Sequence, residues 1–155
     1  MSPWWIDEPV VLGSSNPTIN QLEKLYQEGF RTIISLLDER EETPNYDIGK
    51  VGTLGFKRYS IPVKDFSAPM LDDFKTFLKA IHRALEEGKV LVHCQAGLGR
   101  TGTIAAAYWI GKGLSVNEAI KMIRKSNPSV VETDGQENSL YELEAFISSS
   151  GCNSQ

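Results

Sequence analysis

The sequence is short of cysteine, long apolar runs and surplus positive charge, and each shortage closes off a class of protein. Only two cysteines occur in 155 residues, Cys94 and Cys152, so no disulfide framework is available and a reducing, intracellular setting fits better. The longest apolar run, Ile104 to Ile110, falls far below the roughly 20 residues that a membrane-spanning helix needs. Lys and Arg number 16 against 20 Asp and Glu, a net charge of -4, so no polybasic face points to nucleic acid or an anionic membrane as partner. The first residues lack the basic start and apolar core of a signal peptide. Repeats and internal linkers are absent as well. What remains is an expected cytoplasmic monomer without a membrane or nucleic-acid partner.

The composition present is that of a globular domain, 41% hydrophobic and 23% charged, with room for one domain and a substantial core. Val10-Val11-Leu12, closed by Gly13, reads as a short strand after a mixed apolar segment from Trp4. Asn16-Pro17 reads as a cap and first helical residue, with Ile19, Leu22, Leu25 and Tyr26 on one face until Gly29. Residues 32–37 and 56–62 read as strands, the first interior to a sheet. A helix over 70–87, the longest pattern, shows Leu71, Phe74, Leu78, Ile81 and Leu85 at helical spacing and ends at Gly88. Ser115 with Glu118 opens the next helix, which stops at Asn127-Pro128, and Thr133 with Gln136 opens the last, with Leu140, Leu143 and Ile147 inward. Strands alternating with helices predict an α/β domain with a mainly parallel central sheet flanked by helices, its site at the carboxyl ends of the strands. The domain spans residues 1–147, and the small polar residues 148–155 read as a disordered tail.

The chemistry concentrates in Val90-Leu91-Val92-His93-Cys94-Gln95-Ala96-Gly97-Leu98-Gly99-Arg100-Thr101-Gly102-Thr103, a strand, a glycine-punctuated loop and a helix start. A helix start carries orphan amides and the positive end of the macrodipole, so a loop wrapped there binds anions. Gly97, Gly99 and Gly102 allow the backbone to turn its amides inward. The nest formed by Gln95, Ala96, Gly97, Leu98, Gly99 and Arg100 suits phosphate. Arg100 adds a planar fork for two phosphate oxygens. In the same positive field Cys94 is favoured as thiolate, a nucleophile aimed at phosphorus. Breaking a phosphomonoester also calls for a proton donor facing the nest from another loop. Asp65, in the Pro-flanked turn Ile61-Pro62-Val63-Lys64-Asp65-Phe66-Ser67-Ala68-Pro69, is the leading candidate, whereas Asp72 and Asp73 read as first-turn helix charges.

His93-Cys94, five residues, then Arg100-Thr101 resembles the signature loop of the cysteine-dependent protein tyrosine and dual-specificity phosphatases. The form Cys-Gln-Ala-Gly-Leu-Gly-Arg-Thr-Gly is most similar to the small atypical dual-specificity enzymes and the mitotic-exit phosphatases, and the likeness extends from about Trp4 to Ile147. The resemblance implies a two-step reaction through a phosphocysteine, with Cys94 as nucleophile, Arg100 binding phosphate and Asp65 as acid then base, without metal or cofactor. It implies that His93 lies behind the cysteine and fixes the loop, that Thr101 donates to the Cys94 sulfur, and that Gln136 positions the hydrolytic water. Gln136 has an equal reading as third residue of a capping box, and the two are compatible. Lys64 stands where relatives often have proline, and Asn127 where they often have arginine.

The small size implies a shallow pocket and phosphoprotein substrates bearing phosphotyrosine, with phosphoserine and phosphothreonine also open. Neutral Gln95 and Leu98 stand where phosphoinositide phosphatases of the tensin-homologue type carry lysines. A lipid, nucleotide or RNA 5' end stays open as an alternative substrate, as do a catalytically idle phosphate-binding adaptor and a sulfurtransferase. The charged run over residues 38–46 reads either as ordinary solvated surface or as a loop overhanging the site. Cys152, in the polar tail, reads as an inert thiol rather than a partner for Cys94.

Overall fold

Strand β5 (Lys89–His93) is apolar on both faces, with Val90 and Val92 entering one core and Leu91 the other. A strand inside a parallel sheet covered by helices on each side has this composition. In the computed structural model, which describes residues 1–150, β5 is the middle strand of a five-stranded sheet. Its parallel neighbours are β2 (Val11–Ser14) and β3 (Phe30–Ser35), and β4 (Lys57–Ser60) extends the sheet in parallel beyond β3. The other edge is β1 (Trp4–Asp7), antiparallel to β2. That segment carries little strand signal in the sequence, because its period-2 pattern rests on Trp4 and Ile6 alone.

Register sorts the apolar side chains into two layers. Leu12 and Ile33 both pair with Leu91, and this row packs against Leu22 and Leu25 of helix α1 (Ile19–Gln27) and Val51 of helix α2 (Ile48–Leu54). The opposite row, Val11, Ile34, Val90 and Val92, faces α3 (Leu71–Ala84), α4 (Gly99–Gly111), α5 (Val116–Ser126) and α6 (Asp134–Ser149). Helix α4 is buried nearly all round, from Arg100 to Tyr108, and α3, α5 and α6 pack about it. Three alanines, Ala105 to Ala107, let these neighbours close in.

The helix signals fare unevenly. Ser115 and Thr133 form the expected capping boxes with Glu118 and Gln136, and α5 ends at Ser126, with Asn127 as its C-cap ahead of Pro128. Asn16 is not the cap of α1: that position belongs to Thr18, whose hydroxyl accepts from Gln21 N at 3.3 Å while the Gln21 side chain accepts from Thr18 N at 2.8 Å. The predicted helix over 70–87 ends at Ala84, and Glu86 and Glu87 turn tightly through bonds to Arg83 and Ala84 before Gly88. At 14 residues it is shorter than α6, which has 16 and continues to Ser149, past the residue-147 boundary and into the segment expected to be disordered. Cys152 lies outside the described residues.

Phe77 is fully buried between α3 and the sheet. Replacing it with alanine is expected to cost about 3–5 kcal/mol through lost burial and a residual cavity. The change should register as a lower urea midpoint with an unchanged slope.

Candidate active site

The loop between β5 and α4 turns on one residue. Gly97 has φ +80, and a Cβ there would lie 2.5 Å from Ser15 N and 2.6 Å from Ser14 C, so neither the conformation nor the space admits a side chain. Gly99 and Gly102 serve differently from Gly97: they belong to α4 and permit close approach, since a Cβ on Gly102 would meet Val130 at 2.6 Å. The turn aims Gly97 N at Cys94 Sγ, 3.2 Å away, with the cysteine 2% exposed at the floor of the loop. Trp4 Nε1 donates to Gly97 O at 2.9 Å from behind. Gln95 and Ala96 are exposed and Leu98 half-buried, and Leu98 leads into the first turn of α4, where amides lack intrahelical partners.

Arg100 enters from that first turn, its side chain 1% exposed. Its two terminal nitrogens meet both carboxylate oxygens of Glu42, at 2.7 and 2.9 Å, and Nη1 also donates to Val63 O at 2.9 Å. Nη2 reaches Asp65 Oδ1 at 3.1 Å, and Asp65 is half exposed. The nucleophile, the cation and the candidate acid are thus brought together by three segments: β5–α4, the 38–46 run and the turn after β4. The bidentate bond from Arg100 holds the Glu42 carboxyl below its ordinary range. The 38–46 run is part surface and part site: Glu39, Arg40, Glu41, Thr43 and Asn45 are exposed, whereas Asp38 and Tyr46 are buried and Glu42 reaches Arg100.

His93 is fully buried, with Nδ1 3.2 Å from the Cys94 carbonyl oxygen and Nε2 2.8 Å from the Tyr46 hydroxyl. Burial pushes its pKa down to about 4. Gln136 is also fully buried: its amide oxygen accepts from Glu132 N at 2.9 Å and Thr133 N at 3.2 Å, and its amide nitrogen donates to Ser67 O at 3.2 Å. Capping and tethering of the Asp65 turn occupy both ends of that side chain. Thr101 does not make the expected bond to Cys94 Sγ; its methyl packs towards Gly13, its buried hydroxyl has no partner, and the sulfur is met by Gly97 N instead. Among the described residues no group of three or more His, Cys, Asp or Glu could hold a metal ion.

Three residues of the site carry no local sequence signal for it. Glu42 is one charge in a charged run. Asn16, read as a helix cap, is 7% exposed and clamps the loops: its amide nitrogen donates to Thr43 O at 2.9 Å and Gln95 Oε1 at 3.1 Å, and its amide oxygen accepts from Asn45 N at 3.0 Å. Glu132 presents its carboxylate to Gly99, within 2.5 Å of where a Cβ would stand. It follows Val131, whose φ of +63 is rare for a β-branched residue and whose carbonyl is held by Arg124 at 3.2 Å.

Residues 10–114 match the family described as "Tc-R-P: Polymorphic toxin system, DSP-PTPase phosphatase". The chain belongs to this family, within the small atypical dual-specificity group of the protein tyrosine phosphatase superfamily. Protein tyrosine phosphatase domain-containing protein 1 of Mus musculus is 30% identical over 164 residues, covering 94% of this chain and 22% of that protein. The CDC14 homolog of Schizosaccharomyces pombe is 35% identical over 89 residues, 57% of this chain and 17% of that protein. The chain thus spans about a fifth of the length of such relatives. The crystal structure of Tk-PTP in the active form superposes with a TM-score of 0.84 at 33% identity, covering 93% of this chain and 97% of the other. PTPMT1 in complex with PI(5)P shares the fold, with a TM-score of 0.87 at 24% identity over 97% and 99% of the two chains.

Glu42→Gln is expected to destabilise the protein by about 2 kcal/mol at neutral pH, the scale of hydrogen bonds to a charged group. A carboxylate with a depressed folded-state pKa stabilises above its unfolded value, near 4.5 here, and loses that contribution as pH falls through the folded value. Urea titrations should therefore show a constant gap between wild type and variant above about pH 5.5, narrowing progressively below it.

Proposed function

We propose that the chain is a metal-independent phosphomonoesterase acting on phosphotyrosine in proteins, with phosphoserine and phosphothreonine as further substrates, through a phosphocysteine intermediate. The observation that carries this reading is the convergence of Cys94 Sγ at the floor of an amide-lined loop with Arg100 and Asp65, the last two 3.1 Å apart. Membership of the family supports the same chemistry.

In the proposed first step the phosphoryl group binds the amides of residues 95–100 and the Arg100 guanidinium. Its oxygens replace the Asp65 carboxylate at Nη2. Asp65, released from Arg100, takes up a proton from solvent; Cys94 thiolate attacks phosphorus in line, a sulfur–phosphorus bond forms, and the bond to the leaving oxygen breaks as Asp65 passes that proton to it. In the second step Asp65, now a carboxylate, takes a proton from water. The resulting attack breaks the sulfur–phosphorus bond and releases phosphate and the thiolate. Arg100 and the amides stabilise charge on the equatorial oxygens throughout. Gln136 holds the Asp65 turn through Ser67 O. A reactive thiol suits a reducing compartment, and the proposed setting is the cytoplasm, with phosphoproteins as partners of a monomer.

Hydrolysis of p-nitrophenyl phosphate in the presence of EDTA tests the reading. Wild type should turn over and Cys94→Ser should not. Asp65→Asn should slow hydrolysis of phenyl phosphate by about 100-fold or more, and p-nitrophenyl phosphate less, because the better leaving group has less need of a proton. A wild-type protein that binds vanadate but does not hydrolyse either ester would replace the enzyme with a phosphate-binding adaptor.

A further inference from the structure

A hydrogen-bonded chain runs from the edge of the sheet to the backbone of the nucleophile. Arg58 on β4 donates through Nε to the Tyr46 hydroxyl oxygen at 2.9 Å; that hydroxyl lies 2.8 Å from His93 Nε2, and His93 Nδ1 lies 3.2 Å from the Cys94 carbonyl oxygen. At the outer end Arg58 Nη2 pairs with Glu39 at 3.0 Å.

Chemistry fixes the direction of every link. A carbonyl oxygen only accepts, so His93 Nδ1 carries the proton, and in a neutral imidazole Nε2 is then the acceptor. The Tyr46 oxygen receives Arg58 Nε–H, and with His93 Nε2 as the acceptor the hydroxyl hydrogen is the proton of the Tyr46–His93 contact. The charged groups acting on His93 are Arg58, Arg100 and Glu42; with burial dominant, they keep the ring neutral, its pKa about 4.

We infer that Arg58 is a positioning residue for the phosphate loop: by occupying the Tyr46 oxygen it makes Tyr46 a donor, locks His93 in the Nδ1–H tautomer and so fixes the Cys94 carbonyl. Arg58 does not touch the reacting atoms. Its side chain is only 11% exposed, and its guanidinium lies 5.5 Å from the centre of the Tyr46 ring. One planar fork thereby serves Glu39 and Tyr46 together, a geometry that a lysine ammonium does not reproduce. Remove the guanidinium, and Tyr46 is free to accept from an Nε2–H tautomer of His93. The Cys94 carbonyl then loses its donor and the turn into the nest loosens.

The consequence for turnover rests on the phosphatase reading above, whereas the tautomer does not, and the experiment separates them. Nitrogen-15 NMR of the His93 ring should show the Nδ1–H tautomer in wild type. In Arg58→Met, which keeps an apolar stem, a substantial Nε2–H population should appear, and kcat for p-nitrophenyl phosphate should fall about tenfold with KM nearly unchanged. Arg58→Lys should behave like Arg58→Met. If Arg58→Met folds and keeps the wild-type tautomer, the inference is overturned whatever its activity. Should that variant not fold, Tyr46→Phe decides: loss of the Nδ1–H preference upholds the relay, and an unchanged ring overturns it. A wild type without hydrolytic activity sinks the proposed function and leaves the tautomer arm able to rule.

Discussion

A guanidinium buried to 1% exposure is the constraint from which the rest of this structure follows. A cation taken out of water is costly unless it is paired and its donors are filled. Arg100 obtains its partners from two segments distant in sequence, Glu42 after β3 and the Val63 to Asp65 turn after β4. The charge that would bind a phosphoryl group is thus also the charge that gathers the site. Loops that elsewhere would move freely over the ends of the strands are drawn to a common point.

Parallel topology makes that gathering possible. Strands β2, β5, β3 and β4 run in one direction, so the chain leaves each of them on the same side of the sheet. The phosphate loop leaves the middle strand and is buttressed from both flanks. On one side Trp4 holds Gly97 O and Asn16 joins Gln95 to Thr43 and Asn45; on the other, Arg58, Tyr46 and His93 reach the Cys94 carbonyl. Helix α4, buried among α3, α5 and α6, fixes where Arg100 begins. The packing of the core therefore determines the placement of the cation.

What could be read in the sequence was what depends on local rules. A continuous apolar run gave β5, capping boxes gave the starts of α5 and α6, and the glycine-rich turn between strand and helix marked the anion site around Cys94 and Arg100. What could not be read depends on contacts between distant residues. Nothing around Glu42 separates it from Glu41, and only the approach of Arg100, 58 residues away, gives it a role. Asn16 followed by Pro17 is a sound local cap signal, yet its amide serves better across 29 residues, at Asn45, while Thr18 and Gln21 complete the helix start. The absent Thr101 bond likewise depends on tertiary surroundings: the methyl lies towards Gly13, 88 positions away, and the hydroxyl meets no partner.

The two carboxylates on Arg100 are not equivalent, and the difference bears on how a ligand could enter. Glu42 is 13% exposed and bonds through both oxygens, a geometry in which charge-assisted bonds are strong. Asp65 is 50% exposed and makes a single contact at 3.1 Å, where solvent screens the attraction and the net gain is small. In the proposed reaction an arriving dianion would compete with the weaker pair and leave the stronger one in place. Glu42 would continue to orient the guanidinium while Asp65 is released beside the incoming group, its turn tied by Gln136 through Ser67 O and by Arg100 through Val63 O. One arginine can in this way keep a permanent partner on its inner edge and exchange a temporary one on its outer edge. The division follows from the difference in burial and in the number of bonds each carboxylate makes.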